Sequence, residues 1–158
     1  MFKWGVFHEI CIKEMADIFH DFVIHASAAA VFETLSSPEG LDKWWTKSSS
    51  GKAAPGHQYQ LHFGSGYDWR AIVSKFELNA AFELTMTQSD PDWEGTKIGF
   101  QLQKAHARSQ PVLFYHKGWR SINRQYQVSN FCWAMYLRLA KRWLEKQEEY
   151  AFELRLSV

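Results

Sequence analysis

Two consecutive tryptophans, Trp44 and Trp45, constrain the fold of this chain more than any other feature of its sequence. They follow a helical pattern at residues 28–35 and a Ser-Pro-Glu-Gly turn at residues 37–40. Each indole carries roughly 150–250 Å² of surface that favours burial, so neighbouring indoles predict an interior that both can enter. Pro38 suits the first position of a second short helix. The stretch therefore predicts two short helices packed against the mouth or floor of a hydrophobic core.

Alternating hydrophobic residues predict six β-strands. In the first strand, Ile18, His20, Phe22 and Ile24 share one face. Five further alternating segments follow at residues 57–63, 69–76, 82–87, 98–102 and 111–117. Residues 46–56 are rich in Ser, Gly and Lys and predict a loop. Short strands joined by hairpin-length turns are typical of an antiparallel meander.

A long amphipathic helix is predicted over residues 129–147. Its wide apolar stripe includes Trp133, Leu137, Ala140 and Leu144. A helix that is apolar over so much of its girth indicates a concave partner surface rather than a flat one. Residues 152–158 alternate again and suggest an additional edge strand, with residues 2–6 as a candidate partner.

The length and charge of the chain limit the kinds of partner that it is expected to bind. A chain of 158 residues is long enough for one domain with a sizeable core, and a formal net charge of +1 gives no general attraction to nucleic acid or anionic membranes. No window approaches the roughly 18 apolar residues that span a bilayer. The sequence therefore predicts neither a nucleic-acid nor a membrane partner.

The sequence also allows predictions about the domain boundaries and about the redox state of the cysteines. Residues 1–14 are interpreted as an N-terminal extension before a domain at residues 15–149 and a tail at residues 150–158. The first residues lack a continuous apolar signal region. Cys11 and Cys132 have no spacing that requires a disulfide, and they are interpreted as reduced thiols of a cytoplasmic protein.

Several local motifs resemble one known family. The motifs are Ile24-His-Ala-Ser27, Val31-Phe32, Ser37-Pro-Glu-Gly-Leu-Asp-Lys-Trp-Trp45, Pro55-Gly56, Glu77-Leu-Asn79 and His116-Lys-Gly-Trp119. Across residues 17–147 the chain resembles the SRPBCC (START-like) superfamily, and within it the proteins related to the activator of heat-shock protein 90 ATPase. Ser27 stands where that pattern usually has proline.

The resemblance implies an α+β helix-grip fold. In that fold a curved six-stranded antiparallel sheet wraps around a long C-terminal helix, with two short helices after the first strand. It also implies a hydrophobic cavity between sheet and helix. The fold hosts binding proteins, cyclases and co-chaperone domains alike, so it does not select one function.

Aromatic residues make up 16% of the chain, which suits a lined cavity as well as a solid core. The resemblance places Trp44, Trp119 and Trp133 at the cavity rim and the helix that closes it. The residues predicted to contact a small hydrophobic ligand, or a protein client, are Trp44, Trp45, Tyr59, Phe63, Trp69, Phe82, Phe100, Phe114, His116, Trp119, Trp133 and Leu137. The alternative is that they simply fill the core.

Catalytic and metal-binding motifs are weak. The seven histidines show no HxxxH or HxH spacing, and there is no CxxC motif or nucleophile elbow, so neither a metal nor a cofactor is expected. His116 and His20 are the weak candidates for acid–base chemistry, because each shares a strand face with apolar residues. Two alternatives to a non-enzymatic binding protein therefore stay open. One is a cyclase- or dehydratase-like enzyme, and the other is a co-chaperone-like module that uses the exposed sheet face.

Overall fold

The computed structural model describes residues 16–158. Its strands are β1 Ala16–Ile24, β2 Ser48–Ser50, β3 Gln58–His62, β4 Asp68–Glu77, β5 Ala81–Gln88, β6 Lys97–Leu102 and β7 Gln110–Trp119. Its helices are α1 Ala28–Ser36, α2 Pro38–Trp44, α3 Arg124–Lys146 and a 3₁₀ helix at Phe152–Leu154. Predictions about the N-terminal extension, Cys11 and strand pairing by residues 2–6 lie outside the described residues.

All seven strands form one antiparallel sheet in the order β1-β7-β6-β5-β4-β3-β2. The first strand alternates as predicted, because Ile18 and Ile24 are buried while Phe19 and Val23 on the opposite face are exposed. Helix α3 packs against α1, α2 and β1 and buries Trp133 and other residues of its apolar stripe. The α+β class, the two short helices and the long C-terminal helix are confirmed.

Within residues 16–158 the sheet has seven strands, one more than the six predicted. Strand β2 lies in the segment predicted as a loop, and it pairs with β3 at the edge of the sheet. Three consecutive serines give no hydrophobic alternation, so the pattern carries no strand signal. The Ser49 hydroxyl lies within hydrogen-bond distance of two acceptors in α2, the Pro38 carbonyl and the Asp42 carboxylate, and its one proton ties this edge strand to that helix.

The Ser-Pro-Glu-Gly turn fixes α2 against α1. Ser37 caps α2 through a hydrogen bond from the Gly40 N–H to its hydroxyl. A Cβ atom at position 40 would lie 2.5 Å from the Thr34 carbonyl oxygen, so only glycine allows this close approach. The Trp44 indole N–H donates to the same carbonyl at 3.0 Å. The turn therefore determines where both tryptophans enter the core.

The predicted edge strand in the C-terminal tail is wrong. Residues 152–154 form a 3₁₀ helix, and Arg155 is only 4% exposed. The Arg155 guanidinium donates to the carbonyl oxygens of Asp42, Thr46 and Tyr150. A buried guanidinium needs such acceptors, and here two come from the end of α2 and the segment after it, and the third from the tail itself. The tail therefore packs back onto α2 instead of extending the sheet.

None of the helices within residues 16–158 combines the length and the hydrophobicity needed to cross a membrane. Helix α3 is long enough, but it carries several charged residues, among them Arg124, Arg138 and Lys141. Its N-terminus is capped by Asn123, whose side chain accepts from the Tyr126 N–H, and its C-terminus ends at Gln147 in the left-handed conformation. These caps set the ends of the helix that the sheet faces.

Candidate functional site

Most of the space between the sheet and α3 is filled by side chains. A hollow between the sheet and the two short helices α1 and α2 measures only about 20 Å³. Five of the predicted ligand-binding residues surround this hollow: Trp44, Trp45, Phe82, Phe100 and Phe114. Their rings pack together: the ring centroids of Trp44 and Trp45 lie 6.1 Å apart, and those of Phe82 and Phe100 lie 6.3 Å apart. This part of the interior is a packed core and holds no guest of useful size.

A cleft of about 200 Å³ opens to solvent at one end of this core. It lies between the N-terminal half of α3, the β3–β4 hairpin and the β5–β6 connection. Five of its lining residues form a closed circuit of aromatic rings, which we call the aromatic pentad: Trp45, Phe63, Trp69, Trp93 and Trp133. Successive ring centroids around the circuit are 5.2, 5.0, 4.9, 5.7 and 5.1 Å apart.

The pentad gives the cleft rigid walls. Its rings are tilted or edge-on to each other, which is the arrangement that aromatic quadrupoles favour. Trp45, Trp93 and Trp133 are buried, whereas Phe63 and Trp69 are half-buried at the mouth. The cleft is therefore preformed, and a guest would meet aromatic surface without first having to order it.

The remaining lining residues are mostly uncharged: Tyr67, Asp90, Gln125, Val128, Ser129, Cys132 and Tyr136. Asp90 is the single carboxylate among the described lining residues, and no Lys or Arg lies with it. Burial raises the pKa of the Cys132 thiol, which keeps it protonated and weakly nucleophilic at neutral pH. The cleft therefore suits a neutral, apolar guest and contains no activated thiolate.

His116 lies beneath the cleft in a hydrogen-bonded chain that fixes its protonation. The Trp133 indole can only donate, so its Nε1–H bond to His116 Nδ1 at 3.1 Å leaves that nitrogen unprotonated. The proton of the neutral ring must then sit on Nε2, which donates to Thr96 Oγ1 at 2.8 Å. The Thr96 hydroxyl in turn donates to the Trp93 carbonyl at 2.6 Å. Every side-chain polar atom in this series of hydrogen bonds has a partner.

These hydrogen bonds leave His116 no free ring nitrogen for acid–base chemistry. The ring is fully buried among Trp93, Trp119 and Trp133, and desolvation lowers its pKa to about 3. The imidazole is therefore neutral at physiological pH, and its geometry fits a role in packing. The arrangement supports the alternative in which an aromatic core simply holds this histidine.

His20, the second weak candidate, lies away from the cleft. It lines a separate groove of about 220 Å³ between β1 and α3, together with Leu137, Arg138 and Lys141. Burial lowers its pKa. Within the described residues no partner bonds to its Nε2 atom. The two candidate histidines therefore do not share a site.

The structure brings together only part of the predicted ligand-binding set. Trp45, Phe63, Trp69 and Trp133 line the cleft. The others line the small hollow, lie in the core or, in the case of Leu137, line the groove of His20. Tyr59 is a core residue whose hydroxyl donates to the Ser36 carbonyl at 2.7 Å.

Sequence reasoning missed Trp93, which joins the cleft wall to the aromatic core. It contacts Trp69, Trp119, Trp133 and the His116 ring. Trp93 follows Asp90-Pro-Asp92, a polar turn that interrupts the strand pattern. A tryptophan in a polar turn is itself a signal, since so much apolar surface is rarely left in water.

Two further observations bear on other kinds of site. Within residues 16–158 no group of three or more His, Cys, Asp or Glu side chains is placed to hold a metal ion.

A larger hollow of about 400 Å³ lies over the polar faces of β2, β3 and β4, where exposed side chains such as Gln60, Arg70 and Gln88 line it. Its walls are open and hydrophilic, so it lacks the enclosed apolar character of the cleft.

Comparison with solved structures identifies similar folds. The solution structure of the Aha1 dimer from Colwellia psychrerythraea is 30% identical, covers 85% of this chain and 99% of its own, and superposes with a TM-score of 0.76. A Staphylococcus saprophyticus protein is 20% identical over 85% of this chain and 96% of its own, with a TM-score of 0.71. A Mesorhizobium loti protein is 17% identical over 84% of this chain and 99% of its own, with a TM-score of 0.73. The last two share the fold alone.

Comparison with functionally curated proteins gives no match. A family model does match: the one described as Activator of Hsp90 ATPase homolog 1-like protein aligns with residues 25–145. That range begins immediately after β1 and reaches the last turn of α3, so it includes the double tryptophan, the cleft and the hydrogen bonds around His116. This chain belongs to the Activator of Hsp90 ATPase homolog 1-like family.

Proposed function

We propose that this protein binds a small apolar aromatic molecule in the cleft walled by the aromatic pentad. The observation that carries the proposal is the cleft itself, about 200 Å³ in volume, open to solvent and bounded by five interlocked rings. An apolar cavity of about 150 Å³ is enough to bind benzene. The cleft therefore has the size for a molecule of one or two fused rings.

Burial of apolar surface supplies the affinity. Each Å² of apolar surface removed from water contributes roughly 25 cal/mol. A flat aromatic guest also makes edge-to-face contacts with tilted rings such as Trp45, Trp69 and Trp93. Because packing already holds these walls in place, little of that gain is lost in ordering them.

Binding is better supported than catalysis. Near the cleft, burial keeps the Cys132 thiol protonated, and both ring nitrogens of His116 are occupied. Asp90 is the single carboxylate in the described lining, so no pair of acids converges there. The cyclase- or dehydratase-like alternative is therefore left with Asp90 as its one carboxylate in this lining and with neither of the predicted histidines.

Naphthalene is a suitable probe because it is uncharged and has no polar atom. We expect it to shift the indole N–H resonances of Trp45, Trp69, Trp93 and Trp133 in a ¹H–¹⁵N spectrum. Trp143, near the C-terminal end of α3, should not respond. A Cys132→Phe substitution places a ring in the cleft and should weaken naphthalene binding at least about tenfold, because the two rings compete for one space.

Gln127→Phe is the matched control. It adds the same side chain to the same helix, at an exposed position that does not line the cleft. Its affinity for naphthalene should equal that of the wild type. Equal binding by Cys132→Phe and the wild type would place the probe elsewhere and refute the proposal.

A second candidate is recognition of a protein partner at the mouth of the same cleft. Val128 and Phe131 lie one turn apart on α3 and are 44% and 67% exposed, so they extend the apolar surface of the cleft outward. The family description suggests Hsp90 as the partner to try. This role predicts that the protein alters the ATPase rate of purified Hsp90 and that Phe131→Ser removes the effect. An unchanged ATPase rate with the wild-type protein would exclude it for that partner.

A further inference from the structure

The backbone on both sides of the double tryptophan is held by one side chain from the tail. Arg155 donates from its guanidinium to the Asp42 carbonyl at 2.5 Å and to the Thr46 carbonyl at 2.9 Å. The double tryptophan lies between these two acceptors in sequence. A third bond, to the Tyr150 carbonyl at 3.1 Å, fixes the guanidinium to its own tail. The tail is therefore joined directly to the segment that places both indoles.

The way in which α2 ends leaves the Asp42 carbonyl to Arg155. The last carbonyls of a helix lack donors within the helix. The Thr46 N–H bonds to the Leu41 carbonyl at 3.1 Å, five residues back, instead of to Asp42. Trp45, the C-cap residue, has a non-helical backbone (φ −121°, ψ −66°). A seven-residue helix is too short to be stable alone, so its end depends on outside contacts such as this guanidinium.

Trp45 links this helix end to the cleft. Its ring packs against two other pentad rings, Phe63 and Trp133, at centroid distances of 5.2 and 5.1 Å. Arg155 does not line the cleft, but its charge reaches a second lining residue. Burial raises the pKa of the Tyr136 phenol, and the Arg155 guanidinium opposes part of that rise. The guanidinium therefore lies behind the cleft wall, on the backbone side of Trp45.

The other polar contacts between the tail and this segment are weaker. Lys43 pairs with Glu149 at 3.0 Å, and Lys47 pairs with Glu153 at 3.3 Å. Both pairs are partly or largely exposed, where an ion pair contributes little. Arg155 is only 4% exposed, so its bonds hold the segment without competition from water.

We infer that Arg155 positions Trp45 and thereby sets the size of guest that the cleft accepts. This inference rests on the proposed function, because it assigns size selectivity to the same cleft. With the guanidinium in place, the wall is fixed and the cleft of about 200 Å³ suits one or two fused rings. Without it the end of α2 loosens, so Trp45 can yield to a larger guest. A small guest then has to order the wall when it binds, which costs affinity.

Naphthalene and phenanthrene, which has one more fused ring, test this inference. The measured quantity is the ratio of their dissociation constants, phenanthrene over naphthalene, from titrations followed by tryptophan fluorescence. Arg155→Met keeps an unbranched side chain and removes every donor. It should lower the ratio about fivefold, the order of factor that immobilising one large side chain is worth. A loss of stability alone leaves the ratio unchanged, because both probes bind the same folded molecules.

Arg138→Met is the matched control. The Arg138 guanidinium also bonds the tail, at the Val158 carbonyl, but it does not bond the segment around Trp45 or line the cleft. Its variant should keep the wild-type ratio. Arg155→Lys keeps the charge, but an ammonium cannot reproduce the guanidinium fork, so the ratio should fall about twofold. This milder variant provides the test if Arg155→Met does not fold.

The outcomes separate the inference from the proposed function. A ratio that falls in the Arg155 variants and holds in Arg138→Met supports the inference. If naphthalene binds but the ratio is the same in all variants, size selection by Arg155 is refuted while cleft binding stands. An equal fall in Arg138→Met would also refute it, because any loosening of the tail would then have the same effect. If neither probe binds the wild type, the cleft is not a binding site for such aromatics, and both proposals fall together.

Discussion

Replacing His116 with leucine is expected to lower the free energy of unfolding by about 3–4 kcal/mol. The substitution removes the acceptor of the Trp133 indole N–H and the donor to Thr96 Oγ1. Trp133 is fully buried, so its N–H then loses a partner without gaining water. Leucine also fits poorly among Trp93, Trp119 and Trp133, which surround a flat ring in the native protein. Urea denaturation at pH 7.5, followed by near-UV circular dichroism, measures the loss.

His116→Gln separates hydrogen bonding from packing. The glutamine carbonyl can accept from the Trp133 indole, and its amide can donate to Thr96, so the polar chain is retained. This variant should lose less than about half of what His116→Leu loses. Equal losses in the two variants would mean that the shape of the imidazole ring, and not its hydrogen bonds, stabilises the fold.

The fold was largely predictable because its signals are local and repeated. Alternation along β1 puts Ile18 and Ile24 inside, and the same pattern identifies β3 to β7. The Ser37 cap and Pro38 mark the start of α2, and the close approach at Gly40 explains the turn before the double tryptophan. Each of these features depends on backbone geometry that a few neighbouring residues determine.

The errors come from residues whose role depends on distant partners. Strand β2 is held by backbone pairing with β3 and by the contacts of Ser49 with α2, neither of which leaves a hydrophobic pattern. In the tail, the spacing of Phe152, Leu154 and Leu156 resembles a strand. The buried Arg155 between them instead bonds carbonyl oxygens more than a hundred residues away in sequence.

The candidate site was predictable in composition but not in position. Four of the five pentad residues stand among those predicted to contact a ligand, because large aromatics near turns and on the final helix are natural lining residues. Some of these aromatic residues line the cleft and others fill the core. The difference depends on how the rings pack around Trp93, a residue in a turn. Periodicity contains no information about such packing.

The second large effect is a loss of stability in acid that His116 should cause. In the native protein the pKa of His116 is lowered to about 3, whereas a histidine in an unfolded chain titrates near 6.5. Below pH 6.5 the unfolded chain therefore binds a proton that the native protein does not bind. This proton therefore leaves the free energy of unfolding unchanged above about pH 6.5 and lowers it as the pH decreases towards 3.

The expected size follows from proton linkage. Full occupancy of one extra proton in the unfolded state costs about 1.4 kcal/mol per pH unit. From pH 7 the free energy of unfolding should therefore fall by about 2 kcal/mol at pH 5 and by about 3 kcal/mol at pH 4 through His116 alone. Urea denaturation at half-unit pH intervals measures this curve.

The non-titrating variant His116→Gln isolates this contribution. Burial also lowers the pKa of His20, but that group is present in both proteins and cancels in their difference. The carboxylates of Glu83 and Glu145 also have lowered pKa values, and their protonation reduces stability mainly below about pH 4.5. Between pH 7 and 5 the wild type should therefore lose about 2 kcal/mol more than His116→Gln. Parallel curves over that range would mean that His116 accepts a proton in the folded protein, and the neutral chain from Trp133 to Trp93 would then be wrong.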